Sequence, residues 1–442
     1  MTRPLFSTFE TAKYWAGQKL LHSPFHPLYL KVTGNEPRPQ TYEEWLADEA
    51  RDLAGVDTGA AWPKGYRIVM PEGAQFAPTA MHWFAEAIAE SGADMVYADE
   101  DVMDLDGRRH SPVFKPAWSP ELRAHCDYLG GAYVIRSGVD PEDLEGRRVV
   151  HIPRVLFHRS RPSEYGLRTG RTVPAMELVS IVICSRNPQL AAECLTAIRA
   201  TTAYEPYEII LIDHCAGMTA LAEQYAVKIL SYTEDFNFAR MCNLGARESN
   251  GGLLLFLNDD TVPLDSSWMT ELAAQAARPD VGPVGALLTY PDGRIQHAGV
   301  YVGTSNGAGH PGRLSNGTPI WPWLKMTREQ LAVTGACLMI RRDVFAALNG
   351  FDETFPVNYN DVDLCLRSGQ AGYRVMLEAR AGVEHRESTT RKTGIHYGER
   401  RRFLDRWAAT LERRDPYLNP NLTDNELLLP DPEAFARLHS WR

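Results

Sequence analysis

The run Val179-Ser180-Ile181-Val182-Ile183-Cys184 constrains this chain more than any other feature. It is apolar on both faces, β-branched at most positions, and followed at once by Ser185-Arg186-Asn187-Pro188. A strand of that kind belongs in a parallel sheet covered by helices on both sides. Pro188 suits a first helical position, where its missing N–H is harmless. Leu190, Cys194, Leu195 and Ile198 supply the buried face of the helix it opens. Strands at Glu208–Ile212, Val227–Ser231 and Leu253–Leu257 then alternate with helices at about Thr219–Tyr225 and from Asn237. This α/β alternation predicts a doubly wound, mainly parallel sheet with ligands held at the carboxyl ends of its strands. The polar residues that follow each strand are therefore the candidate site: Ser185, Arg186 and Asn187, then Asp213 and His214, then Asn258, Asp259, Asp260 and Thr261.

Ahead of this unit, residues 1–60 read as an aromatic, helical or irregular extension. Phe6, Phe9, Tyr14, Leu20 and Leu21 share one amphipathic helix face there, which we expect to pack on the body of the protein. Residues 61–165 form a second regular unit, with strands at Arg67–Met70, Asp94–Ala98, Gly130–Arg136 and Val149–Phe157 and a helix at Thr79–Ser91. Residues 166–177 are the expected linker, 178–395 the main unit, and 396–442 a C-terminal helical extension. A chain of 442 residues accommodates that division. Its net charge of −10 argues against a broad nucleic-acid footprint. No apolar stretch reaches the roughly 18 residues of a membrane span, and the first residues lack a signal-peptide pattern. The seven cysteines include no C-x-x-C pair, which disfavours disulfide frameworks and zinc ribbons. The expectation is a reduced, cytoplasmic protein.

Asn258-Asp259-Asp260 carries the clearest chemistry. Adjacent carboxylates behind a buried strand repel each other, and a cation relieves that repulsion. Hard oxygen ligands suit Mg²⁺ or Mn²⁺, which would also bridge to substrate phosphates. An Asp-rich turn before the next helix is the structural alternative, and the residues leave both open. Asp213 ends a strand where an acid can hold a nucleoside, or simply form a turn. Asp361 lies at the start of a helix with Val362 and Leu366 on its apolar face, where capping is the structural alternative. Asp363, two residues on, faces elsewhere. His385, just after an expected strand at Arg374–Leu377, joins this acidic set.

These residues sit within ordered stretches that together resemble a known family: VSIVICSRN (179–187), YEIILID (207–213), NFARMCNLG (237–245), LLLFLNDDT (253–261), YPDGRIQHAGV (290–300), VTGACLMIRRDVFAALNGFDE (333–353), NDVDLCLR (360–367) and DPYLNPNLT (415–423). Residues 178–422 resemble the family-2 inverting glycosyltransferases of the GT-A fold, a Rossmann-like, mainly parallel sheet. The nearest flavour is the bacterial rhamnosyltransferase-like group that builds O-antigens and other surface polysaccharides. The resemblance implies a nucleoside-diphosphate sugar as donor and Mn²⁺ or Mg²⁺ as cofactor. The acceptor it implies is a saccharide or a lipid-linked saccharide, and the latter would suit a peripheral place on the inner membrane face. It further implies that Ser185, Asn187, Asp213, Asn237 and Asp259 line the donor pocket. Asp260 would be the principal metal ligand, His385 would complete the metal shell, and Asp361 would be the catalytic base. Asn258 departs from a full D-x-D motif, and Asn360 replaces a frequent Glu.

The first unit resembles the back half of tandem relatives, through Tyr97-Ala98-Asp99-Glu100-Asp101, residues 112–120 and residues 151–158. It reads as a degenerate, partial GT-A-like domain. Met70-Pro71-Glu72-Gly73 stand where its metal motif would be, and Pro141-Glu142-Asp143-Leu144 where a shortened helix would carry its base. Asp99, Glu100 and Asp101 are accordingly expected to be structural, and the unit to dock the acceptor or a second subunit. Arg400, Arg401, Arg402 and Arg406 are interleaved with Glu399 and Asp405 and read as a solvated helix face. Two rival readings are weaker. A sugar-phosphate nucleotidylyltransferase would want a Gly-rich loop where Ser185–Pro188 stand. A nucleotide-sugar-binding scaffold would not need Asp213, Asp260, Asp361 and His385 together.

Overall fold

Two sheets organise the chain, and the smaller repeats half of the larger. The computed structural model describes residues 41–56, 58–163, 165, 177–303, 307–318, 321–386, 397–423, 426 and 428–431. The candidate helix around Phe6–Leu21 and most of the linker lie outside those residues. The first unit runs α1 (Tyr42–Asp52), β1 (Tyr66–Val69), β2 (Gln75–Phe76), α2 (Ala80–Ser91), β3 (Met95–Met103), β4 (Arg109–Val113), α3 (Pro120–His125), β5 (Tyr133–Arg136) and β6 (Val149–Arg159). The second begins with β7 (Val179–Ser185), α4 (Pro188–Thr201), β8 (Tyr207–Asp213), α5 (Thr219–Tyr225), β9 (Lys228–Ser231), α6 (Phe238–Arg247), β10 (Leu253–Asn258) and β11 (Thr261–Pro263). It continues with α7 (Trp268–Ala276), β12 (Val281–Thr289), β13 (Ile295–His297), β14 (Tyr301–Val302), β15 (Ala308–Gly309), β16 (Arg328–Gln330), β17 (Cys337–Arg341), α8 (Arg342–Ala347), α9 (Asn360–Gln370), β18 (Arg374–His385) and α10 (Tyr397–Leu411).

β7 is buried along its whole length. Ile181 and Ile183 pack with Cys194, Leu195 and Ile198 of α4, while Val182 and Cys184 point the other way, toward Met241, Cys242 and Phe256. Each such aliphatic contributes about 1.5–3 kcal/mol on burial. Strands β9, β8, β7 and β10 are parallel. Beyond β10 the sheet is mixed: β17 is antiparallel to β10 and to β12, whereas β18 is parallel to β12 and carries antiparallel β11. The parallel arrangement expected from the sequence thus holds for the front half, and the back half departs from it. β18 also runs on past Leu377 to His385. Its register on β12 jumps from Ala286↔Glu378 to Leu287↔Gly382. That bulge breaks the apolar pattern and hides the second half of the strand from a sequence reading.

The same plan governs the first unit. β1 is antiparallel to β5, β5 to β3, and β2 to β6, while β3 and β6 are parallel, with a register jump after Ala98. Term by term these are the β10–β17, β17–β12, β11–β18 and β12–β18 pairs. β4 lies on β3 as β13 lies on β12. Tyr66 faces Arg136 as Leu253 faces Arg341, so Pro71-Glu72-Gly73 fall where the second unit has Asn258-Asp259-Asp260. His158 opposite Gln75 stands for His385 opposite Thr261. Nothing among the described residues corresponds to β7–β9. Residues 141–144 form turns, where the sequence suggested a shortened helix; Glu142 there pairs with Arg123.

Asp99, Glu100 and Asp101 are all buried. Asp99 accepts hydrogen bonds from the Lys115 backbone N–H (2.8 Å) and from the Asn419 and Asn421 side-chain amides, and faces His151 Nε2 at 2.8 Å. Glu100 pairs with Lys115 and Arg159, each at 2.8 Å. Asp101 takes the Tyr42 hydroxyl of α1 and Arg109 Nε, both at 2.6 Å, and contacts His158 Nδ1. These carboxylates are matched from within the protein. Asp101→Ala is expected to cost about 1–3 kcal/mol in a denaturant melt by removing the acceptor shared by the Tyr42 hydroxyl, His158 and Arg109. Any transfer activity per folded molecule should stay within a few-fold of the parent.

The two units share a core in which Tyr97, Phe114 and Tyr128 meet Trp321, Trp323, Leu418 and Leu422. Across this seam Trp323 Nε1 donates to the Phe114 carbonyl at 3.2 Å, and Glu329 accepts the Glu121 N–H at 3.1 Å. Arg328 is buried there, its Nη1 donating to the carbonyls of Trp323, Leu324 and Met326. Nearby, burial pushes the Asp415 carboxyl up to about 7, although it accepts N–H bonds from Val302 and Tyr417 and Arg414 and Arg328 act against the rise. A folded-state value raised above the unfolded one favours the fold at low pH, and that contribution is lost as pH rises through about 7. The melting temperature of the parent should therefore fall more between pH 6 and 8 than that of Asp415→Asn. Among the described residues no helix is long and apolar enough to cross a membrane.

Candidate functional site

Three corners meet at the carboxyl ends of the second sheet. At the first, β10 gives way to Asp259 and Asp260. The Ser185 hydroxyl, at the end of neighbouring β7, donates to Asp259 Oδ2 at 2.5 Å. Burial pushes the Asp259 carboxyl up to about 6; the Ser185 bond works against that rise and the charge of Asp260 adds to it. Asp260 turns the other way, and its Oδ1 lies 3.0 Å from His385 Nε2. On the far side of the ring, His385 Nδ1 meets the Gln296 Oε1 acceptor at 2.6 Å. With Nδ1 donating to Gln296, a neutral ring presents its Nε2 lone pair to Asp260 and to the Asn258 amide at 3.3 Å. A carboxylate oxygen and an imidazole lone pair brought together in this way fit a divalent cation, with Gln296 orienting the ring from behind. Among the described residues no three His, Cys, Asp or Glu side chains converge on one point. A cation held by these two side chains would take its remaining ligands from phosphate and water, as hard divalent cations in phosphate sites prefer.

The second corner is Asp361, the second residue of α9. Its Oδ2 accepts the Gly335 N–H at 2.8 Å, and its Oδ1 accepts the Val362 N–H at 2.8 Å. The next residue, Ala336, accepts the Asn258 N–H at 2.9 Å. A single peptide step thus ties the Asp361 carboxylate to the strand that carries Asp259 and Asp260. Asp363 does something different. It is fully buried, bound to Arg367 Nε at 2.7 Å, Arg406 Nη1 at 2.9 Å and Trp407 Nε1 at 3.1 Å. Asn360 is also buried and donates to the Phe355 carbonyl.

At the third corner, the ends of β7, β8 and β9, the side chains named from the sequence also bind the backbone. Asp213 accepts backbone N–H bonds from Cys215 (2.9 Å) and Met218 (3.0 Å); burial opposes but does not outweigh these bonds, which hold its carboxyl below the ordinary value. Asn187 caps α4 by accepting the N–H groups of Gln189 and Leu190. Asn237 caps α6 and donates its amide to the Glu353 carbonyl. The polar side chains expected to line the donor pocket here are thus engaged by the backbone around them. Arg186 and His214 lie against Phe236 beside them. Gln296 and Gly335 also escaped the sequence reading. Both lie inside stretches quoted for the resemblance (290–300 and 333–353), but nothing in the sequence says that Gln296 backs His385 or that a backbone N–H holds Asp361.

Residues 180–348 match the family model described as Glycosyl transferase family 2. The chain is 33% identical over 413 residues to the O-antigen biosynthesis protein RfbC of Myxococcus xanthus, covering 76% of this chain and 32% of that protein. It is 30% identical over 426 residues to the uncharacterized protein y4gI of Sinorhizobium fredii, covering 78% and 47%. It is 29% identical over 136 residues to an N-acetylglucosaminyl-diphospho-decaprenol L-rhamnosyltransferase of Mycobacterium tuberculosis, covering 28% and 44%. The chain spans between a third and a half of the length of these curated relatives.

Proposed function

The second unit is a family-2 glycosyltransferase domain of GT-A architecture, and from that premise we propose that it moves a sugar from a nucleoside-diphosphate donor to a saccharide acceptor with inversion. The observation that carries the reading is the peptide step Gly335-Ala336, which joins Asp361 to the strand ending in Asp259 and Asp260. Asp260 and His385 would hold Mn²⁺ or Mg²⁺. When bound, the cation neutralises charge on the leaving diphosphate. Asp259, tethered by Ser185, adds a carboxylate beside it, and Gln296 keeps the His385 ring turned. The acceptor hydroxyl is un-ionised at neutral pH and needs a base within hydrogen-bond reach as it attacks. Asp361 takes that proton, its carboxylate steadied by the Gly335 N–H. One base opposite the leaving group gives a single displacement without a covalent intermediate.

The O-antigen relative supports a role in surface-polysaccharide synthesis. The name of the mycobacterial relative, a rhamnosyltransferase for N-acetylglucosaminyl-diphospho-decaprenol, supports a lipid-linked saccharide as acceptor. The first unit would be non-catalytic and help to place that acceptor. The test is a pair of measurements. Thermal melts with UDP, dTDP or GDP should show a rise that depends on Mn²⁺. NMR of the product anomer, formed from the donor whose nucleotide binds, should show inversion. Absence of any Mn²⁺-dependent nucleotide shift would set the reading aside.

A further inference from the structure

We propose that Phe236, backed by His214 and flanked by Arg186, is the stacking platform for the nucleobase of the donor. The inference rests on the donor reading above and says which residues receive the base. The three side chains come from the segments that follow three adjacent parallel strands, β7, β8 and β9. Their backbones are in register there: the His214 N–H donates to the Ser185 carbonyl and the Tyr232 N–H to the Asp213 carbonyl, both at 2.9 Å. Phe236 is 42% exposed, one of few large apolar side chains on the surface. Its ring centroid lies 5.6 Å from that of His214, which in turn lies 5.5 Å from Tyr232. The Arg186 guanidinium carbon lies 6.0 Å from the Phe236 ring centre. His214 is fixed in place by its Nε2–H, which donates to the Glu234 carbonyl at 3.0 Å.

The carboxyl ends of a parallel sheet are where such folds bind ligands. Here Asp213, Asn187 and Asn237 are already engaged by backbone groups. What this corner leaves part-exposed is an aromatic ring with the Arg186 guanidinium over it, and a base can stack on either plane. The corner also lies next to the cation ligands. Arg186 follows Ser185, whose hydroxyl holds Asp259, so one nucleoside diphosphate can place its base on Phe236 and its phosphates near Asp260.

The experiment is calorimetry on the full chain with Mn²⁺. Parent, Phe236→Ala and Phe236→Tyr are each titrated with UDP, dTDP, GDP and inorganic pyrophosphate. For any nucleotide that binds the parent, Phe236→Ala should weaken binding by about 10- to 100-fold, the worth of one stacked base. Pyrophosphate should bind all three proteins alike, and Phe236→Tyr should keep nucleotide affinity near that of the parent. Unliganded melting temperatures should agree, because the side chain is largely at the surface. Parent-like nucleotide binding by Phe236→Ala overturns the platform while leaving the donor reading intact. An equal loss for pyrophosphate also overturns it, since the base would not be what Phe236 holds. A parent that binds none of the nucleotides overturns the donor reading itself, and the platform with it.

Discussion

Asp260→Ala is expected to lower sugar transfer by about 10³-fold or more and to remove the Mn²⁺-dependent part of nucleotide affinity. The magnitude follows from the several kcal/mol that a divalent cation supplies to a developing phosphate charge, at 1.36 kcal/mol per tenfold in rate. The fold should survive. The Asp260 side chain meets His385, but the local chain path is held by main-chain bonds: the Arg386 N–H donates to the Asp260 carbonyl at 3.0 Å, and Asn258 is held by Ala336. Calorimetry with UDP, dTDP and GDP, with and without Mn²⁺, separates the two parts of affinity, and a thermal melt checks the fold. A variant that keeps the full Mn²⁺-dependent affinity would take Asp260 out of the cation site. A variant that loses affinity equally with and without Mn²⁺ would mean that the side chain touches the nucleotide rather than the metal.

Much of the scaffold around Asp260 is legible in the sequence because its signals are local. Val179–Cys184 can only be a doubly covered strand, Pro188 and Asn237 mark helix starts, and α5 falls at Thr219–Tyr225 as its pattern suggests. The motif after β10 is legible for the same reason: it is a break in polarity at the end of a buried strand. Asp363 is also assigned correctly by helical spacing, since it points to Arg367 and Arg406 while Asp361 points to Gly335. The half-copy in the first unit is readable from its motifs, although its shortened base helix is not there.

What the sequence hides is non-local. β18 looks finished at Leu377 because the bulge around Ala379–Ala381 interrupts its apolar pattern, so His385 reads as a loop residue when it ends a strand opposite Thr261. Asp213 and Asn187 carry side chains that bind nucleosides or cap turns and helices equally well. The capping and turn bonds that they do make depend on where the fold puts the Cys215, Met218, Gln189 and Leu190 N–H groups. Phe236 shows the reverse case. In sequence it is one aromatic among many, and its meaning comes from lying exposed beside His214 and Arg186.

Asp361→Asn should separate the base from the donor site. Asparagine keeps the size of the side chain and one oxygen that can accept the Gly335 N–H now bound at 2.8 Å, so the link to Ala336 and β10 should persist, while loss of the Val362 N–H bond should cost about 1 kcal/mol. Donor affinity, with and without Mn²⁺, should stay near the parent value, because Asp260, His385 and Ser185 are untouched. The amide cannot usefully take a proton, and transfer to the acceptor should fall by about 10² to 10⁴-fold, the range for a positioned general base. Asp363→Asn is the informative contrast. Asp363 is buried between the part-exposed Arg367 and Arg406, so its neutralisation should appear as about 1–3 kcal/mol of destabilisation, with the activity of the remaining folded protein little changed. The measurement pairs nucleotide calorimetry with transfer rates and melts for both variants. Parent-like transfer by Asp361→Asn, with a stable but inactive Asp363→Asn, would give the proton to the other carboxylate. A fall in donor affinity matching the fall in rate would instead place Asp361 against the donor.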